Sequence, residues 1–309
     1  MNKIILLCLI IPLFLNARSW QEIKESGVLK AGVRDSTLLV YRPNDIKNPG
    51  FTYEMLKDFA DFHKLKLELK IVPKFVEYWK KDGINLNKTK EIATPDIYDH
   101  IDLAAEIFTI TNRRKELLNL IPYIDNVELF FGAKNDNSRK LEDLIGKSII
   151  TYEAMIFSKI LKKELKKKNI PFTTKYLNLK DGNIITPKRS DLDENLVNIF
   201  LVPLNIKERR FAYKPVAKSQ IEVGINDGIA VILKIFENSY YREKLKPLFP
   251  IQEKKSQLAW ASEYKNKELN KKLKEFFLYD KKTGNFSKRL KKYIGMSEEE
   301  YNKLVNMIN

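Results

Sequence analysis

Between residues 29 and 72 the hydrophobic pattern runs from alternating to helical and back to alternating, and this order dictates the class of fold. Leu29–Val33 (LKAGV) alternates as a strand. After a turn at Gly50, the residues Phe51, Met55, Phe59 and Phe62 recur at helical spacing. Lys66–Val72 (KLELKIV) alternates again, with Leu67, Leu69 and Ile71 on its apolar face. Strand, helix and strand in succession form a βαβ unit, which predicts a parallel α/β sheet.

The middle of the chain repeats this grammar. Ile101–Ile110, Val127–Ala133 and Ser148–Tyr152 read as strands, the last reached through Leu141–Gly146. A helix follows with Ile156, Ile160, Leu161 and Leu165 on one side, and its run of lysines is a solvated face. Residues 178–215 are irregular, with Pro187, Pro203 and Pro215 around the apolar run Asn198–Leu204, and read as an insertion with one strand. Ile221–Ile225 is a strand ending at Asn226-Asp227-Gly228, followed by a helix over Ile229–Glu237. Ser256–Ala261 is the last strand, and Leu269, Leu273, Phe276 and Phe277 share the inward face of the next helix. Ser297-Glu-Glu-Glu300 is a capping box opening a terminal helix that packs through Tyr301, Leu304, Val305 and Ile308.

A chain of 309 residues exceeds one typical core, so two lobes are expected. Residues 1–19 read as a secretory signal peptide: Lys3 precedes the uncharged apolar run Ile4–Leu15, which is too short for a membrane span of about 20 residues. Small residues offer two cleavage registers, Leu15-x-Ala17 and Ala17-x-Ser19; a retained N-terminal anchor is the rival reading. Cys8, the only cysteine, lies too early in the apolar run for lipid attachment. The exported chain is therefore expected to be thiol-free, without disulfides, cysteine nucleophiles or thiolate metal sites. The net charge of +16 comes from lysines spread over the whole chain, so it points to solvated faces and not to a nucleic-acid partner.

The order of segments resembles the periplasmic solute-binding proteins of family 3, the amino-acid-binding type. More narrowly, it is similar to the N-terminal binding module of membrane-bound lytic transglycosylase F. The stretches that carry the resemblance are Leu29–Asp35 with Tyr41, Gly50–Met55, Asp102–Arg114, Leu141–Lys147, Leu258–Ala261, and the C-terminal segment through Gly284-Asn-Phe to Leu290–Gly295. The resemblance implies a two-lobed α/β fold of the periplasmic-binding-protein type II, each lobe a mixed sheet flanked by helices, joined by two crossover hinge strands. Lobe 1 would be residues 20–127 plus 259–309, and lobe 2 residues 128–258. The hinges would fall near Asp125–Leu129 and Gln257–Ala261.

A free amino acid presents a carboxylate and an ammonium on one carbon, so its site needs a fixed cation and a fixed anion. Arginine suits the carboxylate because its planar fork donates two parallel hydrogen bonds. The resemblance assigns Arg114 to that role, with Thr109 as a supporting hydroxyl, through Thr109-Ile-Thr-Asn-Arg-Arg114. The adjacent Arg113 leaves the register open by one, and a solvated helix-start residue is the competing reading of Arg114. The resemblance places Asp227 at a strand end as the ammonium partner; the alternative is a cap on the following helix. Asp35 and Tyr41 fall at crevice positions, with Tyr41 as a stacking wall. Two departures from the family stand out. Ala154-Met155 replaces the usual Gly-Ser or Gly-Thr, and Glu106 stands where a small residue is usual. The first of these favours a modified ligand or a weakened site.

No catalytic residues, cofactor or metal site are expected. One helix's length of chain follows Gly295, too little for a transglycosylase catalytic domain; His63 and His100 adjoin no motif, and no phosphate loop is present. Three functions remain open: a periplasmic receptor, monomeric, that delivers a small ligand to an inner-membrane permease; an envelope module sensing a cell-wall fragment or partner; and a hydrolase or lyase on the same scaffold.

Overall fold

The computed structural model describes residues 18–35, 38–153, 156–180, 183–203, 212–252 and 254–307. The signal-peptide reading, the Ala154-Met155 departure and the Ile308 contact lie outside these residues, apart from Arg18 and Ser19. The strands of the two main sheets are, in chain order, β1 (Val28–Val33), β2 (Lys66–Ile71), β3 (Leu103–Thr109), β4 (Asn119–Asn126), β5 (Glu128–Ala133), β6 (Ser148–Tyr152), β7 (Phe172–Tyr176), β8 (Val197–Val202), β9 (Val223–Asp227), β10 (Leu245–Pro250) and β11 (Ser256–Ser262). The helices are α1 (Trp20–Ser26), α2 (Phe51–Phe62), α3 (Asn112–Leu117), α4 (Ile156–Lys167), α5 (Tyr213–Ala217), α6 (Gly228–Glu237), α7 (Ser239–Lys244), α8 (Lys267–Lys282), α9 (Asn285–Ile294) and α10 (Glu298–Val305).

The first sheet has the order β2-β1-β3-β11-β4, and the second β10-β5-β9-β6-β8-β7. In the first, β1 runs parallel to β2 and β3, as the βαβ pattern predicts, while β11 is antiparallel to β3 and β4. In the second, β9, β6, β8 and β7 are parallel and β5 is antiparallel to both its neighbours. Central strands buried on both faces read as continuous apolar runs. Every residue of β6 and of β8 is buried. The 178–215 stretch is therefore not purely an insertion: its strand β8 is wedged between β6 and β7 as an integral member of the sheet.

The chain passes from the first sheet to the second at Val127 and returns through residues 251–255. The return precedes the 257–261 segment expected from the resemblance. Ser256, Gln257 and Leu258 already pair with Asn126, Asp125 and Ile124 of the first sheet, so a lobe boundary at 258/259 would divide β11. The capping box of α10 is formed, with Ser297 and Glu300 satisfying each other's backbone donors, and Tyr301, Leu304 and Val305 are buried. Tyr301 Oη donates to the Asp125 carbonyl at 2.9 Å, so the terminal helix braces the strand that leads into the first passage.

Packing on the second sheet depends on one glycine. A Cβ on Gly224 would stand 2.2 Å from Phe131 Cζ, so only glycine admits that ring. Phe131 then stacks on Tyr213 at 4.5 Å, and Tyr213 Oη accepts a hydrogen bond from Asn226 Nδ2 at 3.2 Å. The two sheets, each flanked by helices, form the two-lobed α/β architecture.

Candidate functional site

The strand registers place the carboxyl ends of the parallel strands of both sheets beside the two passages. Thr109, the last residue of β3, and Ile124 of β4 both lie opposite Leu258, and Ser256 lies opposite Asn126. In the second sheet Asp227, the last residue of β9, lies opposite Glu128, the first residue of β5. Crevices outside the carboxyl ends of strands are where open α/β sheets bind ligands.

Arg114 is the third residue of α3. Thr111 caps that helix, its side chain accepting the Arg114 N–H at 3.2 Å. The guanidinium folds back, donating from Nη1 to the Thr109 carbonyl at 2.8 Å. Its centre lies 4.7 Å from the Trp79 ring and 5.3 Å from the Phe75 ring. It forms no ion pair with a carboxylate among the described residues, and burial pushes its pKa down to about 10. A desolvated guanidinium held by one carbonyl and two aromatic faces leaves most of its five donors for an incoming anion.

Its neighbour Arg113 is committed elsewhere. Arg113 donates to the Leu86 carbonyl at 3.0 and 2.9 Å and to the Glu91 carbonyl, and pairs with Glu116 at 2.7 Å. Arg113 thus pins the 86–91 segment, and the two adjacent arginines have different surroundings. The support that Thr109 gives to Arg114 comes through its carbonyl; its hydroxyl makes no hydrogen bond among the described residues.

Glu106 explains itself through Arg34. The carboxylate is fully buried and receives Arg34 Nε at 2.8 Å, Nη2 at 2.9 Å and the Arg34 backbone N–H at 3.2 Å. Burial raises the Glu106 pKa, and the Arg34 fork pulls against that rise. The Arg34 guanidinium lies 5.1 Å from the Phe75 ring, so Phe75 carries two guanidiniums, Arg34 and Arg114. Of the two, only Arg34 has a carboxylate partner among the described residues. Sequence reasoning passed over Arg34, Phe75 and Trp79, although Arg34 adjoins Asp35 and Glu106 had marked its position as unusual.

Asp35 and Tyr41 come together in a parallel bridge, and the Tyr41 ring packs on Tyr53 at 4.8 Å. The carbonyls of Leu38, Leu39 and Val40 accept the first three N–H groups of α2, at 2.8, 3.1 and 3.0 Å, which fixes the segment that carries Tyr41. Gly50 permits this approach: its φ is +130°, and a Cβ there would lie 2.3 Å from the Val40 carbonyl oxygen.

Asp227 stands apart from these groups, on the second sheet. It occupies the cap position of α6 but makes no side-chain cap hydrogen bond. Asn126 takes over that task, accepting the Ile229 N–H at 3.3 Å while its Nδ2 donates to Asp227 Oδ2 at 3.0 Å. Asp227 Oδ1 is buried without a hydrogen-bond partner, and burial pushes the carboxyl up to about 6. Asp227 makes no direct contact with Arg114, Asp35 or Tyr41 among the described residues. Among the described residues, Arg114, on the helix that follows β3, has no carboxylate partner, and Asp227, at the end of β9, has one buried oxygen without a hydrogen bond.

No protein-family model matches the chain, and no curated protein sequence matches it. Solved structures do. The chain is similar to the substrate-binding protein of a polar amino acid ABC uptake transporter from Streptococcus thermophilus, with 15% identity, 90% of each chain covered and a TM-score of 0.63. It is also similar to the L-cystine solute receptor of Neisseria gonorrhoeae in an unliganded open conformation, with 13% identity, 90% of this chain and 96% of that one covered, and a TM-score of 0.60. An ancestral cyclohexadienyl dehydratase matches at 17% identity over 91% and 98% of the two chains, with a TM-score of 0.55. Sheet order, the two passages between sheets and these likenesses agree on one architecture, the two-lobed fold of the periplasmic binding proteins.

Proposed function

We propose that this chain is an extracytoplasmic solute-binding protein that captures a small, carboxylate-bearing, amino-acid-like ligand between its two sheets and delivers it to an ABC-type permease. The observation that carries this reading is Arg114, a half-buried guanidinium beside Phe75 and Trp79 with no carboxylate partner among the described residues. A guanidinium drawn partly out of water favours an anionic partner, which the ligand's carboxylate would supply. The amino-acid receptors among the structural neighbours support the ligand class. Closure would bring Asp227 to the ligand's ammonium, and Tyr41 and Asp35 would line the first-sheet wall. Binding rather than turnover fits the commitment of Glu106 to Arg34, since no carboxylate among the described residues pairs with Arg114. The similarity to the transglycosylase binding module rests on the sequence stretches alone.

Mass spectrometry of small molecules released from the purified, denatured protein tests this reading. A stoichiometric compound with a carboxylate supports it; one with no anionic group overturns it. The Asp227 role has its own pH signature. Its folded value of about 6 exceeds the unfolded value of about 3.9. Stability from this group is therefore fully present below about 3.9 and is lost as pH rises through 6. Ligand binding runs the other way, since an ammonium needs the ionised form. Affinity for the released compound should fall about tenfold per pH unit below 6 in calorimetric titrations, and Asp227→Asn should flatten the profile. A flat profile in the unmodified protein would remove Asp227 from the site.

A further inference from the structure

We infer that the export leader is cut between Ala17 and Arg18, so that Arg18 is the first residue of the mature protein and a structural part of it. This inference rests on the export reading. The sequence offers cuts after Ala17 and after Ser19, and the second places small residues both one and three positions before the bond. The folded chain discriminates between them.

Arg18 closes over a buried carboxylate. Its Nε donates to Asp102 Oδ1 at 3.0 Å and its Nη2 to Asp102 Oδ2 at 2.6 Å, a two-pronged pair in which Asp102 is only 2% exposed. The same guanidinium donates to the Val28 carbonyl at 2.9 Å and to Ser26 Oγ at 2.8 Å, and the Arg18 carbonyl accepts Asn266 Nδ2 at 2.6 Å. Asp102 also accepts the Lys30 N–H at 2.7 Å, so this pair joins the start of the chain to β1, to the approach to β3 and to the segment before α8. Ser19 has a task of its own. It caps α1 in a reciprocal box with Glu22, accepting the Glu22 N–H at 3.3 Å and donating its own N–H to Glu22 Oε2 at 2.6 Å.

A cut after Ser19 would remove the Arg18 guanidinium and the α1 cap together and strand the Asp102 carboxylate inside the first sheet's flank. Removing one partner of a buried ion pair is far more damaging than never having built it. A cut after Ala17 keeps every one of these contacts. The step is hydrolysis of one amide by an export peptidase that accepts Leu15 and Ala17 as the third and first residues before the bond. Water's oxygen goes to the Ala17 carbonyl carbon, and the Arg18 nitrogen leaves as an amine and takes up a proton.

The test is intact-mass analysis of the full 309-residue chain, tagged at its C-terminus and expressed in an exporting bacterial host. A periplasmic species beginning at Arg18 is expected. One beginning at Trp20, or at any other residue, overturns the inference and leaves the export reading standing. Unprocessed chain alone, absent from the periplasm, overturns both. A second measurement needs no export: protein beginning at Trp20 should melt roughly 5–10 °C below protein beginning at Arg18. Asp102→Asn should raise the melting temperature of the Trp20 form and lower that of the Arg18 form. Equal melting temperatures for the two forms would show that Arg18 is dispensable and overturn the inference.

Discussion

Arg114→Ala is expected to abolish ligand-dependent thermal stabilisation, whereas Arg113→Ala leaves it in place. Among the described residues, the guanidinium of Arg114 has one backbone acceptor, two aromatic faces and no carboxylate. Its desolvation has already been met in folding, so an incoming carboxylate gains charge-assisted hydrogen bonds without reorganising the site. Loss of such a buried, bidentate partner costs about 2–5 kcal/mol of binding, on the order of 30-fold to several thousand-fold in affinity. Arg113 is spent on the 86–91 segment and on Glu116. Its removal should lower the melting temperature of the free protein while the shift produced by ligand survives. The measurement is a thermal-shift titration of both variants with the compound released from the native protein. Equal loss from both, or loss from neither, would sink the assignment of Arg114.

Glu106→Ala is expected to be the most destabilising single change around the site, by about 3–5 kcal/mol. Glu106 is fully buried; three of the four hydrogen bonds to its carboxylate come from Arg34 and hold the end of β1 against β3, and the fourth is the Ile107 N–H at 3.4 Å. Truncation leaves the Arg34 guanidinium part-buried over Phe75, with its counter-charge gone and a second uncompensated cation beside Arg114. Replacing both partners removes that penalty, because buried ion pairs often exchange for apolar groups of similar volume at little cost. The double variant Arg34→Met/Glu106→Leu should therefore recover most of the stability lost by Glu106→Ala. Denaturant midpoints of the single and double variants, measured without ligand, give the comparison. A single substitution costing less than about 1 kcal/mol would mean that the pair is solvated and worth no more than a surface bridge.

The strands that the sequence pattern did not reveal share a physical property. Asn119–Asn126, Phe172–Tyr176 and Leu245–Pro250 are all edge strands. An edge strand has one row of backbone groups free, so it tolerates proline, and its side chains need not alternate strictly. Pro122, Pro247 and Pro250 sit in two of these strands and masked them. The interior strand β8 was seen as an apolar run but set aside as part of an insertion. Chain order cannot tell a buried sheet member from an apolar loop segment.

The candidate site divides in the same way. Arg114, Asp227, Asp35 and Tyr41 were named through the family resemblance, which rests on short stretches of residue order. What Arg113 and Arg114 each do could not be separated there: adjacent residues on a helix point about 100° apart, and only the packing of the 86–91 segment and of Phe75 and Trp79 against α3 distinguishes them. The role of Glu106 was equally hidden, since its partner lies 72 residues away and is brought near by the parallel pairing of β1 with β3. Hydrophobic period and turn residues, which act over a few neighbours, determined the α/β class, the order of most elements and the need for more than one core. Charge compensation is decided by through-space distance across strands far apart in the chain. Tertiary structure alone therefore showed that Arg34 is neutralised by Glu106, whereas Arg114 has no carboxylate partner among the described residues.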